Sequence, residues 1–199
     1  MSDTEAPRPE RAPDGPLLLL GDSLTEAGPW QEAFPDREVV NAGRTGDTTV
    51  EIAERLEEVL AARPAAVVLM AGTNESRRAT VEQVVRGLED VLFQLRHGLP
   101  DARLVVCSVL PRERERADWI RDVNIHVRQF APTVKAEFLD LWPLFAEEDG
   151  ELREELTPDR LHLTDVGYAA WIGELRALLE QGETPESRSR PGTPSPRDR

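Results

Sequence analysis

A single cysteine, Cys107, in 199 residues leaves no partner for an internal disulfide. Positive charge is scarce. The 24 Lys and Arg face 38 Asp and Glu, a formal net charge of −14. Nucleic-acid binding rests on a cationic footprint, so this balance excludes it, and it disfavours anionic membrane surfaces too. Long apolar runs are also missing. The longest, residues 65–71, is far below the roughly 20 residues of a bilayer span, so no stable membrane insertion is expected. The opening MSDTEAPRPERAPDG has no positive segment followed by an apolar one, as a secretory signal would require. A cytoplasmic protein is the reading these absences leave. No H-x-x-x-H or C-x-x-C spacing indicates a metal site. No G-x-x-x-x-G-K-[ST] or G-x-G-x-x-G indicates a nucleotide. Neither a metal nor a nucleotide is therefore expected.

What is present is a core-forming middle between two polar ends. Residues 1–16 and 183–199 together hold 8 of the 16 prolines, and neither end shows an apolar period. Segments of this kind bury too little apolar surface to offset the entropy of ordering. Both are expected to be disordered tails flanking one domain over residues 17–182. Hydrophobic residues make up 39% of the chain, enough for one compact core.

Within the domain, short apolar runs at residues 17–20, 38–40, 66–70, 104–109 and 138–141 predict buried strands. Longer stretches at 48–62, 80–96, 114–130 and 164–180 carry apolar residues at helical spacing. Strands with no polar alternation, separated by helices, imply a parallel sheet covered on both faces by right-handed crossovers: an α/β protein.

In such a sheet every strand ends on one rim, and ligands bind there. The first run is followed by Gly21-Asp22-Ser23, the second by Asn41-Ala42-Gly43, the third by Ala71-Gly72-Thr73-Asn74-Glu75, and the fifth, after a longer connection, by Asp159-Arg160-Leu161-His162. Each has an ordinary structural reading. Ser23-Leu24-Thr25-Glu26 fits an S-x-x-E capping box, Asn74 suits a helix N-cap, Gly43 suits a turn, and Pro158-Asp159 begins one. Jointly they supply more. Serine hydrolysis needs a nucleophile, a base to activate it, a carboxylate to orient the base, and donors for the oxyanion. Ser23, His162 and Asp159 can fill the first three roles. The Ser23 and Gly43 backbone N–H groups and the Asn74 amide can supply the donors. A hydroxyl at a helix start also gains from the positive end of the helix dipole. His97, His126 and Cys107 read as structural or solvated. The run Arg112-Glu113-Arg114-Glu115-Arg116 reads as a solvated, self-paired helix start.

These residues resemble the SGNH hydrolases, the GDSL esterase/lipase family. Its four blocks match Gly21-Asp22-Ser23-Leu24, Asn41-Ala42-Gly43, Gly72-Thr73-Asn74 and Asp159-Arg160-Leu161-His162, in order, across residues 17–180. The family often has Asp where Glu75 stands. His162-Leu163-Thr164 with Gly167-Tyr168 looks most like the platelet-activating-factor acetylhydrolase-like branch. The resemblance implies a flavodoxin-like three-layer α/β/α sandwich on five parallel strands. It also implies a Ser23–Asp159–His162 triad, an oxyanion hole at Ser23, Gly43 and Asn74, and no cofactor. Expected, then, is hydrolysis of small carboxylic esters through an acyl-enzyme. An acyltransferase, a thioesterase or lysophospholipase with the same triad, and a catalytically silent binding module are the alternatives. The short connection from Leu141 to Pro158 leaves little chain for a lid, so a shallow cleft and short acyl groups are expected.

Overall fold

A computed structural model describes residues 15–75 and 79–181. Five strands, β1 (Leu17–Gly21), β2 (Val39–Gly43), β3 (Ala66–Met70), β4 (Arg103–Cys107) and β5 (Ala136–Leu139), form one sheet in the order β2-β1-β3-β4-β5. All four pairings are parallel. This is the flavodoxin-like order, with its switch point beside β1.

Alternate side chains leave opposite faces of a strand, so a sheet buried on both sides needs apolar residues at every position. Leu18 and Leu20, Val67 and Leu69, and Leu104 and Val106 join one core with α3 (Thr49–Glu54), α4 (Leu56–Ala61), α5 (Val81–Gly98) and α6 (Ala117–Phe130). Leu17 and Leu19, Val68 and Met70, and Val105 and Cys107 join the other core. That face is covered by α1 (Ser23–Glu26), α2 (Trp30–Ala33), α7 (Trp142–Phe145) and α8 (Asp165–Gln181). The expected three layers are present.

Some boundaries differ from expectation. The single helix expected over 48–62 is broken at Arg55, which leaves helical geometry (φ −110, ψ 13) as its side chain turns beneath the rim. β4 ends at Cys107 instead of continuing to residue 109. Beyond it the Asn124 side chain bonds both the N–H and the C=O of Val109, at 2.8 and 2.9 Å, in place of a neighbouring strand. β5 starts and stops earlier than expected, at Ala136 and Leu139, and just beyond it the Asp140 carboxylate accepts the Trp142 N–H at the first residue of α7.

Both ends of the described chain attach at the rim where strands begin. Pro16, assigned above to the leading tail, is buried, and its C=O accepts the Ala65 N–H at 3.0 Å. Arg103, at the start of β4, donates to the Leu178 and Leu179 carbonyls at the end of α8, both at 2.8 Å. The expected disorder of the remaining terminal residues falls outside the described residues.

Candidate active site

The sheet register brings the candidate residues together. Gly21 lies opposite Gly43 on one side and Met70 on the other, so β1, β2 and β3 end in one row. Ser23 follows two residues beyond that row and Asn74 four. The approach is close. A Cβ on Gly43 would come within 2.2 Å of the Glu26 backbone nitrogen, and one on Gly21 within 2.3 Å of the Met70 carbonyl oxygen. Glycine at these two positions lets the chain leave β1 sharply and lets β2 end against α1.

Ser23 is the first residue of α1 and is half-buried. It does not cap the helix, contrary to the capping-box reading. Asp22 is the cap, its Oδ1 accepting the Leu24 N–H at 2.9 Å. The serine hydroxyl is thereby released from a capping role. Because α1 has four residues, its dipole offers little to an anion.

Asp159 and His162 form a direct pair. Asp159 Oδ2 lies 2.7 Å from His162 Nδ1, while Oδ1 accepts the Leu161 and His162 backbone N–H groups at 3.0 and 2.8 Å. The turn between them passes through Arg160 in the left-handed region (φ 65). Thr157 Oγ1 closes the turn by donating to the His162 carbonyl at 2.6 Å. The hydrogen bond from the His162 ring, followed by the backbone N–H bonds, holds the Asp159 carboxyl below the usual carboxylate range. Both side chains are about half exposed (48% and 49%), so the imidazole is open to a substrate. Among the described residues no hydrogen bond joins the Ser23 and His162 side chains. Such contacts are commonly long until substrate binds. The segments carrying them are tied together nearby, where the Tyr168 hydroxyl on α8 donates to the Leu24 carbonyl at 2.9 Å.

Asn74 does not cap a helix; Thr80 caps α5. The Asn74 Nδ2 donates one hydrogen to the Asp47 carbonyl at 2.8 Å, which leaves its second hydrogen for another acceptor. Asp47 is itself held by Arg55 through a 2.6 Å ion pair with little exposure. The next residue, Glu75, accepts the Thr49 N–H at the start of α3 at 2.6 Å. The Gly43 N–H differs from expectation: it already donates to Asn41 Oδ1 at 3.0 Å, so an oxyanion would have to share that hydrogen.

Arg112 is not a solvated helix start. It is buried, and its guanidinium bonds the Arg160 carbonyl and the Thr73 hydroxyl. It follows β4, the one strand whose trailing residues the sequence pattern did not single out. The signal was Pro111-Arg112 after an apolar run, on the rim that carries every other candidate. His97 stacks on Phe93, and His126 is exposed on α6. Cys107 is buried, and burial pushes its thiol up to about 12. Among the described residues no group of His, Cys, Asp and Glu could hold a metal ion, and no helix is long and apolar enough to cross a membrane.

Comparison with known proteins supplies the context. Residues 19–170 match the GDSL-like lipase/acylhydrolase family. The chain is 33% identical over 174 residues to platelet-activating factor acetylhydrolase IB subunit alpha1 of Pongo abelii, covering 82% of this chain and 74% of that protein. It is 31% identical over 192 residues to the alpha2 subunit of Rattus norvegicus, covering 90% and 82%. The crystal structure of a GDSL-like lipase from Bacteroides thetaiotaomicron superposes with a TM-score of 0.72 at 21% identity, over 84% of this chain and 88% of that one.

Proposed function

The chain belongs to the GDSL-like lipase/acylhydrolase family and is a hydrolase, and from that premise we propose that it cleaves short-chain carboxylic esters through an acyl-enzyme on Ser23. The observation that carries this reading is the 2.7 Å Asp159–His162 contact, on the rim where Ser23, Gly43 and Asn74 also stand. With Nδ1–H donated to Asp159, the His162 Nε2 lone pair takes the Ser23 proton as Oγ attacks the ester carbonyl. The Ser23 N–H, the second Asn74 amide hydrogen and the shared Gly43 N–H stabilise the oxyanion. Collapse of the intermediate passes the proton from His162 to the leaving alcohol. Water then enters by the same route in reverse and releases the acid.

Two observations support a small acyl group. The relatives named above are acetylhydrolases. The connection from β5 to Asp159 contains only α7 and one 3-10 turn, with little chain for a lid. The substrate is a small acyl ester met in the cytoplasm.

A fluorophosphonate probe is expected to label Ser23, and Ser23→Ala to abolish labelling and lose on the order of 10⁶ in kcat. His162→Ala removes the proposed base and is expected to lower kcat on a similar scale. p-Nitrophenyl acetate or butyrate is turned over faster than the octanoate. Labelling at another residue, or preference for a palmitoyl ester, overturns the reading.

A further inference from the structure

We propose that Arg112 is a positioning residue for this hydrolysis, its guanidinium fixing the Asp159–His162 turn against the loop that carries Asn74. The inference rests on the roles assigned above to Ser23, His162 and Asn74. Its own ground is geometric. Arg112 is 7% exposed, deep for a residue type that is seldom fully buried. Its Nε donates to the Arg160 carbonyl at 3.0 Å, and its Nη1 to the Thr73 hydroxyl at 3.2 Å. Nη2 lies 3.4 Å from Glu113 Oε1.

The two contacts at the rim are unlike in origin and alike in consequence. Arg160 is the left-handed residue of the D-x-x-H turn, with φ 65. A non-glycine residue there is strained and persists only where its surroundings hold it. Arg112 holds it from below, at the carbonyl two residues before His162. The Arg160 side chain holds the same turn from the side, donating to the Leu152 carbonyl at 3.0 Å. Thr73 immediately precedes Asn74 and is 4% exposed. One planar group therefore spans the segment that presents the base and the segment that presents the oxyanion donor. Arg112 is itself anchored by backbone: its carbonyl accepts the Leu152 N–H at 2.9 Å, and it forms an isolated parallel bridge with Glu151. The guanidinium touches no reacting atom. It sets the distance between groups that do.

The test measures kcat and KM on p-nitrophenyl acetate with the full chain, after counting active sites by exhaustive fluorophosphonate titration. Arg112→Met keeps the length and removes the donors. Its kcat per titrated site is expected to fall about 10²-fold, the scale of a misplacement of about one ångström. KM should stay within about threefold, because ground-state binding is not what Arg112 controls. Arg112→Lys restores a cation without the fork and should recover to within about tenfold of wild type. Thr73→Val removes one of the two contacts, so the double variant with Arg112→Met should lose less than the product of the separate losses. A purely structural role would lower Tm and the titrated fraction while leaving kcat per titrated site at the wild-type value, and that result overturns the proposal. If Arg112→Met yields no folded protein, Arg112→Lys decides: wild-type kcat per titrated site overturns it. Failure of the probe to label wild-type Ser23 would sink the functional reading instead. Labelled Ser23 with unimpaired Arg112 variants sinks only this inference.

Discussion

Asp22 stands one residue before the proposed nucleophile, Ser23, with no solvent exposure, and only one of its two carboxyl oxygens has a partner. Burial, reinforced by the nearby charges of Glu75 and Asp47, pushes its carboxyl from the ordinary value up to about 7. The folded protein therefore binds a proton that the unfolded chain releases near pH 4. Stability falls as pH rises from that value to about 7, and the loss is complete above it. Asp22→Asn retains the capping oxygen and removes the titration. Its Tm relative to wild type should rise between pH 5 and pH 8, by at least about 1 kcal/mol or roughly 2–4 °C. Parallel pH dependence of the two proteins would show that Asp22 does not titrate there. Ser23, Asn74, Asp159 and His162 were readable as candidates because their side-chain types lie in local blocks. The D-x-x-H pair in particular meets within a single turn. Arg112 was not readable in this way. Its partners lie 48 and 39 residues away, and one of them is a backbone carbonyl, which leaves no mark on composition or spacing. Asp22 was hidden differently: the S-x-x-E pattern assigned its capping role to its neighbour.

The elements show the same division. α5, α6 and α8 were legible because each carries a long apolar period, while α3 and α4 read as one helix because their apolar residues keep a common period across the break at Arg55. No motif in the sequence marks the Arg55 side chain. In the fold it donates to the Gly21 and Ala42 carbonyls and pairs with Asp47, bracing the ends of β1 and β2. β2 was undersized in the sequence reading because Asn41 ends its apolar run, although the ladder continues to Gly43. The joint between α8 and the α1–α2 segment is built from Trp30 on α2 and from Tyr168 and Trp171 on α8. The Trp30 and Trp171 rings meet edge to face at 4.7 Å, and the Tyr168 hydroxyl reaches the Leu24 carbonyl. Tyr168→Phe keeps the ring contacts and removes that bond. A loss of about 0.5–1.5 kcal/mol is expected. Thermal denaturation checks it, and an unchanged Tm would mean the bond contributes nothing net.

For the whole molecule, strand–helix alternation was enough to predict a parallel sheet with both faces covered. The strand order was not contained in that pattern, since an apolar strand pairs equally well with several neighbours; it entered through the resemblance. The ends of the described chain suggest the minimal folding unit. A protein of residues 15–181 retains the Pro16 contact with Ala65 and the Arg103 clamp on α8. It should keep kcat within about twofold of the full chain, because both contacts that hold its ends are retained. Starting at residue 18 instead removes Pro16 and Leu17 and should lower Tm. Equal Tm for the two truncations would mean the Pro16 contact is dispensable. These same attachments have a practical reading. Chain entry and chain exit share the rim where strands begin, and every proposed reactive group sits on the rim where they end. An affinity tag, a fluorescent reporter or a bead fused to the 15–181 protein at residue 15 or 181 is therefore attached on the far side of the sheet. The immobilised enzyme would present its ester-cleaving face to the bulk solution.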